Sequence, residues 1–439
     1  MNFMVILGPV IWFLLDKYKN TIIFEMEELE ILNRLNNGEI LDRVSSKLCI
    51  QILNKVRAYL IANGITTRLP ALKKIIGDGD KSKGFLNLLE EQGHSIYMYL
   101  YQTHFSKEQL RLKLISLFGE DFTDLRIISP LNLDDYNELC NFFQIQMKLP
   151  IYPVMFTVLT SKLLLNLFFS PYIPRCFYFP ERILAIDYVD KIQDICDKEN
   201  LRMLILKDEF DVDLQTVIPY QISPINMIDH VISIFYEKIQ GILNYGGLLI
   251  QELVVSDKTI NILKTHFFRK VIDGAQIQEK VVLKPFSEGG SLESLIDNVT
   301  FNTIDMSLKF GELFNSILEH YYGDLFSNFD TILSQNQFYV IDMNSVSNNF
   351  SLPRIPQILD SDHFFKVFIS EIISTKNETK ISSQVKFRHQ IVEFYNKIRQ
   401  LGPLFFSTDK FITLKDGNEF NIKEFLTSNF SKEIKWTLN

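Results

Sequence analysis

Two apolar runs, Phe329 to Leu333 and Phe338 to Met343, stand either side of Ser334-Gln-Asn-Gln337. Short runs rich in β-branched and aromatic residues, joined by a brief polar link, specify a β-hairpin. A hairpin constrains the chain strongly because it fixes which residues face each other. Asp330 lies near the start of the first strand, and Asp342 and Asn344 lie at the end of the second. Side chains alternate across a strand, so Asp342 and Asn344 share a face and antiparallel pairing can bring Asp330 beside them. Three hard oxygen donors converging there suit Mg2+ held jointly with phosphate oxygens. An isolated Asp-x-Asn can also simply end a strand and begin a turn, so the surrounding sequence decides between the two.

With 439 residues and 46% hydrophobic content, and a mean hydropathy of +0.05, the chain can bury a large core and divide into two or three domains. A formal net charge of −8 argues against a general nucleic-acid binder and leaves room for a local basic pocket that meets a phosphorylated small molecule. Cys49, Cys140, Cys176 and Cys196 show no CxxC spacing, and the seven histidines form no HExxH pattern. Neither zinc nor a disulfide framework is expected, and a reducing, cytoplasmic setting fits best. The 37 phenylalanines are dispersed and read as core filling.

Phe3 to Leu15 is nearly all apolar and is followed by Asp16-Lys-Tyr-Lys19. The run is too short to span a bilayer comfortably. Basic residues before it and small residues at a cleavage site, which a secretory signal wants, are not obvious. A buried first strand or helix is expected, with membrane contact by residues 3–15 the less favoured alternative.

Helical periodicity runs over residues 21–63, broken at Asn36-Asn-Gly38, and again over 85–92, closing at Gly93. A strand over 95–101 and a helix over 107–118 complete an α/β layer. Pro150, Pro153, Pro171, Pro174 and Pro180 bracket a helix over 155–169 and mark a boundary. The expected organisation is an N-terminal helical and α/β region over 1–150, a second domain over 151–403 and a C-terminal extension over 404–439. In the second domain an amphipathic segment, 181–198, precedes a buried strand, 201–207, that ends in Lys207. Strands over 248–255, 260–270 and 281–285 follow, mostly antiparallel, and helices are expected over 304–322, 361–375 and 383–401. The extension carries a hairpin turning at Asp416-Gly417.

The order strand-Lys207, Leu249-Ile-Gln-Glu-Leu253, strand-Lys284, helix, Asp330 and Asp342-x-Asn344 resembles that of an ATP-grasp fold. The fold class so implied is α/β and α+β, with an N-terminal α/β domain and helical additions. Leu325-Phe326-Ser-Asn-Phe329-Asp330-Thr-Ile332 and Phe338-Tyr-Val-Ile-Asp-Met-Asn344 resemble the Leu-Phe-Gly-Phe-Asp-Val-Ile and Tyr-Tyr-Val-Ile-Asp-Ile-Asn patterns of the inositol 1,3,4-trisphosphate 5/6-kinase family, over roughly residues 155–375. The resemblance implies Mg2+ on Asp330, Asp342 and Asn344. It implies ATP held by Lys207, Gln251, Glu252, Leu253, Lys284 and Ser287. An inositol polyphosphate would meet His230, in Asp-His-Val-Ile-Ser-Ile-Phe235, together with Lys264, Asn344 and Asn348. The implied activity is transfer of the γ-phosphoryl group to an inositol phosphate hydroxyl by a monomer, by positioning and charge stabilisation, with no single catalytic residue singled out.

The chain departs from the family's pattern in several ways, among them a longer spacing from Lys207 to His230. Val255-Ser256 replaces Asn-His after the Gln-Glu hinge, Lys264 falls two positions late, Lys284-Pro-Phe-Ser287 stands for Arg-Pro-Ser, and Asn348 stands for a glycine. These leave two alternatives: a catalytically impaired ATP-grasp binding protein, and an ATP-grasp ligase acting through an acyl phosphate.

Overall fold

The computed structural model describes residues 1–65, 84–102, 104–129, 141–149, 151–153, 161–180, 188–209, 218–222, 247–254, 263–272, 275–279, 283–285, 325–335, 337–344 and 378–430, with a few single positions between them. Two compact units emerge. One comprises Met1–Thr157 and Val346–Lys386, the other Val158–Ser345 and Phe387–Asn439.

The first unit is a parallel α/β layer. Strands β1 (Asn2–Leu7), β2 (Ser95–Leu100), β3 (Leu125–Ser129) and β4 (Ile151–Pro153) lie in the order β2-β1-β3-β4, and every pair is parallel. Phe3 to Leu7 are fully buried, as a central strand covered on both faces requires. The apolar N-terminus therefore serves as a core strand followed by a ten-residue helix, α1 (Pro9–Tyr18). Among the described residues no helix is long and apolar enough to cross a membrane.

Helices α2 (Met26–Asn36) and α3 (Arg43–Ala62) realise the expected helical region, and the break falls where Gly38 takes φ +69°. Glu28 closes a capping box with Glu25 at the start of α2 and meets Lys55 of α3 at 2.7 Å, which fixes one helix on the other. The Asp42 carboxylate caps α3 by accepting from the Ser45 amide at 2.8 Å, and that bond holds its pKa below the usual carboxylate value. Asp42→Ala is expected to destabilise this unit by about 1 kcal/mol at neutral pH. A depressed folded-state pKa contributes stability above the unfolded value, and that contribution is lost as pH falls through the folded one. The urea midpoints of the two proteins should thus differ at pH 7 and converge in acid; equal midpoints at pH 7 would refute the cap. Helices α4 (Phe85–Glu91) and α5 (Lys107–Phe118) follow the sequence expectation closely.

The second unit is α+β. Helix α6 (Lys162–Phe168) leads to β5 (Cys176–Phe179), α7 (Val189–Lys198), β6 (Leu204–Asp208), β7 (Ile218–Ile222) and β8 (Leu248–Glu252). Strands β9 (Leu263–Ile272), β10 (Ala275–Glu279), β11 (Leu283–Pro285), β12 (Leu325–Ser334) and β13 (Gln337–Asn344) form a second sheet, ordered β10-β9-β12-β13 with β11 on β9. Helix α8 (Glu378–Leu401), strands β14 (Leu404–Phe406), β15 (Lys410–Thr413) and β16 (Glu419–Asn421), and helix α9 (Ile422–Phe430) complete the described chain. The first sheet runs β16-β15-β14-β5-β8-β6-β7, and all its pairs are antiparallel. Residues 404–421 thus enter that sheet through β14, which pairs with β5, and the turn between β15 and β16 contains Gly417 at φ +78°.

Strand β6 begins at Leu204, three residues later than the sequence pattern suggests. The reason is local. Asn200 adopts φ +54° and the Leu201 amide bonds the Cys196 carbonyl at 2.8 Å, so these residues close α7. The helix expected over 155–169 is described over Lys162–Phe168, the amphipathic segment 181–198 is helical over Val189–Lys198, and the helices expected over 304–322 and 361–375 lie almost wholly outside the described residues.

Candidate functional site

Alternation along β5, β6, β8 and β14 gives the first sheet two chemically distinct faces. Phe177, Phe179, Leu204, Leu248, Ile250 and Phe405 pack with Ile192 and Cys196 of α7 into one apolar cluster. The opposite face carries Cys176, Tyr178, Lys207, Leu249 and Gln251, since Gln251 pairs with Cys176 and Ile205, and Leu249 with Tyr178 and Lys207. Helix α6 meets this face, where Asn166 Oδ1 accepts from the Cys176 thiol at 3.2 Å.

The second sheet brings the two aspartates together. Asp330 of β12 pairs directly with Asp342 of β13, and Asn328 pairs with Asn344. On its other side Asp330 pairs with Lys264 of β9, which in turn pairs with Lys284 of β11. Lys284, Lys264, Asp330 and Asp342 therefore form one row across four strands. The pairing depends on a bulge. Register shifts by one between Asp330 and Thr331, which leaves Ile341 without an opposing residue.

Two lysines reach this strand pair from elsewhere in the same unit. Lys207, 7% exposed at the end of β6, donates from Nζ to the carbonyl of the bulged Ile341 at 2.7 Å. Lys162, 5% exposed in the first turn of α6, places Nζ 3.4 Å from Asp342 Oδ1. Lys207 and the two aspartates were readable in the sequence; Lys162 was not, because Ser161-Lys162 stands at the head of an apolar helix like any capped helix start. Its signal is the serine: Ser161 Oγ accepts from the Leu164 amide and sets the helix start so that Lys162 is the first residue.

Two carboxylates directly opposite each other repel. A divalent cation would relieve that repulsion and take oxygen donors of the right hardness, so Asp330 and Asp342 fit Mg2+, with Asn344 two positions along the same strand face.

The hinge segment is built differently. Gln251 is buried. The Glu252 carboxylate is gripped by a bidentate Arg175 fork, Nε to Oε2 at 2.9 Å and Nη2 to Oε1 at 2.7 Å, and the same guanidinium bonds the Glu199 carbonyl at 2.7 Å. The Glu252 side chain raises the pKa of Arg175 further. The Leu253 amide, which the resemblance would give to adenine, donates to the Met203 carbonyl at 2.9 Å. His230, Ser287 and Asn348 lie outside the described residues, and for Lys264, Lys284 and Asn344 the register alone is described.

A second polar cluster lies behind the lysines. Glu209 is fully buried and accepts from Ser161 Oγ at 2.5 Å, Tyr178 OH at 2.9 Å and the Gly247 amide at 2.6 Å. Burial drives the carboxyl above the usual range against these bonds. Gly247 is obligatory there, for a Cβ would lie 2.4 Å from the Phe179 carbonyl and 2.6 Å from the Tyr178 ring.

No family model and no curated protein matches the chain. Among solved structures it is similar to a D-alanine–D-alanine ligase from Bacillus anthracis complexed with ATP, at 10% identity over 91% of this chain and 99% of that one, with a TM-score of 0.36. A RimK domain protein ATP-grasp from Sphaerobacter thermophilus gives 9% identity over 69% and 93%, with a TM-score of 0.34. A phosphoribosylamine–glycine ligase from Thermotoga maritima gives 13% over 59% and 65%, also at 0.34. Scores of this size carry no functional weight, and the reading that follows rests on the geometry of the site.

Proposed function

We propose that this chain is an ATP-dependent phosphoryl-transfer enzyme of the ATP-grasp type. The observation that carries the reading is the approach of Lys207, to the Ile341 carbonyl, and of Lys162, to Asp342, on the strand pair that sets Asp330 opposite Asp342. Anionic and cationic groups arranged in this way match a metal-bound polyphosphate, where carboxylates hold the metal and ammonium groups hold phosphate oxygens. Mg2+, when bound, would supply the positive charge that offsets charge developing on the transferred group. Asp330 and Asp342, with Asn344, would hold it. On nucleotide binding Lys162 and Lys207 would exchange Asp342 and the Ile341 carbonyl for phosphate oxygens. Lys284 and Lys264, next in the cross-strand row, would extend the positive side of the site.

The acceptor we propose is an inositol polyphosphate hydroxyl. Support for it comes from the motif resemblance around Leu325 to Asn344 and at His230. A second reading, an ATP-grasp ligase that activates a carboxylate as an acyl phosphate, has its own support: every residue whose side chain is described here would serve the phosphoryl donor alone, and such a site serves either acceptor. Incubation of the full chain with labelled ATP, Mg2+ and a panel of inositol phosphates or carboxylate-plus-amine pairs separates the readings. Labelled inositol phosphate supports the kinase. Phosphate release only with an acceptor pair replaces it by the ligase, and nucleotide binding without turnover on any acceptor replaces both by a binding protein.

A further inference from the structure

Among the described residues Glu209 is the one fully buried carboxylate near the lysines that no step of the proposed reaction uses, and its bonding is directional. Its carboxylate accepts from the hydroxyl of Ser161, the N-cap of α6, while its own carbonyl accepts from the Lys162 amide at 3.2 Å. Both bonds grip the first turn of the helix from which Lys162 extends. Its amide and carboxylate together clasp Gly247, through Glu209 N to Gly247 O at 3.0 Å and Gly247 N to Oε2 at 2.6 Å, which ties the start of β8 to the end of β6. Lys207 lies two residues earlier, on the same face of the same chain segment. One residue thus fixes the two elements that present both lysines.

A helix N-cap alone does not need this arrangement. Ser161 already accepts from Leu164, and a carboxylate removed from water is costly unless its bonds are all satisfied. What the carboxylate adds is a fixed link between the α6 start, Tyr178 of β5 and the β6–β8 edge, all of which lie behind the same pair of ammonium groups. We infer that Glu209 is a positioning residue: through Ser161 and Gly247 it sets where Lys162 and Lys207 stand, and thereby the affinity for the triphosphate. This inference rests on the nucleotide reading proposed above.

A double-mutant cycle on the full chain tests it, with the dissociation constant of Mg2+ and a non-hydrolysable ATP analogue as the readout. Ser161→Ala cuts the link while leaving Glu209 in place, and Lys162→Met removes the group it is said to position. Ser161→Ala should weaken binding about tenfold when Lys162 is present and less than about twofold when it is Met, because coupled residues are non-additive. Glu209→Gln should bind nearly as wild type does, since its amide oxygen can serve Gly247 and Tyr178 and its amide nitrogen can donate to the Ser161 hydroxyl. Glu209→Ala should not. An equal loss from Ser161→Ala on both backgrounds would show a merely structural role and overturn the inference. A wild-type protein that fails to bind the analogue at all would instead remove the nucleotide reading itself.

Discussion

Asp342→Ala should abolish ATP turnover and leave the fold standing. The residue faces Asp330 directly across the hairpin and holds Lys162 at 3.4 Å. Its loss removes one of two opposed carboxylates and with it the charge that would fix a divalent cation, a change worth on the order of a thousandfold in kcat. The same substitution takes from Lys162 the carboxylate beside it, at a cost of about 2 kcal/mol in stability, small beside the kinetic effect. Asp342→Asn keeps the shape and removes the charge, so it should resemble Ala in turnover and sit closer to wild type in thermal unfolding. Undiminished turnover in either purified variant, with an unchanged circular-dichroism spectrum, would remove the metal assignment.

Lys162→Met is expected to have the second largest effect, of a different kind. Lys162 stands 3.4 Å from Asp342 Oδ1, and in the proposed nucleotide complex it would neutralise a phosphate oxygen. Replacing it with an apolar side chain of similar length should therefore weaken triphosphate binding about ten- to a hundredfold and leave the binding of Mg2+ alone undiminished. Calorimetry of the two ligands separately reads both quantities. Loss of metal binding alongside nucleotide binding would mean that Lys162 supports the strand pair rather than the phosphates.

Much of the architecture was legible because the chain obeys simple periodicities. Helices α2 to α5, strand β2 and the β12–β13 hairpin lie within a few residues of where their patterns place them. The short strands were harder. In β5 every residue of Cys-Phe-Tyr-Phe is buried, so no alternation announces it, and the flanking prolines argue for a loop. Strand β14, Leu-Phe-Phe, fails for the same reason. The site was legible where a residue ends a strand, as Lys207 and Asp342 do. It was illegible where the proposed site depends on packing: Lys162 and Glu209 look like an ordinary helix start and an ordinary loop acid, and only the tertiary fold brings the first to Asp342 and buries the second.

The unpaired Ile341 has a consequence for how this hairpin can vary. Where two strands pair without interruption about a two-residue turn, as Ser334 and Gln337 do here, any two facing residues are separated by an odd number of positions. Asp330 and Asp342 are an even number apart. In an uninterrupted ladder Asp342 would fall opposite Phe329, on the far side of the sheet from Asp330. The even spacing is thus a parity signature: two acids on such a hairpin can confront each other only if one residue drops out of the ladder. It follows that removing any single residue between Phe338 and Ile341 should make the spacing odd and leave the aspartates facing each other in an unbroken ladder, without the bulged carbonyl that Lys207 bonds. A single insertion in the same short stretch should instead separate them unless a second residue also leaves the ladder, so sequence length, and not only residue identity, is part of what defines this site.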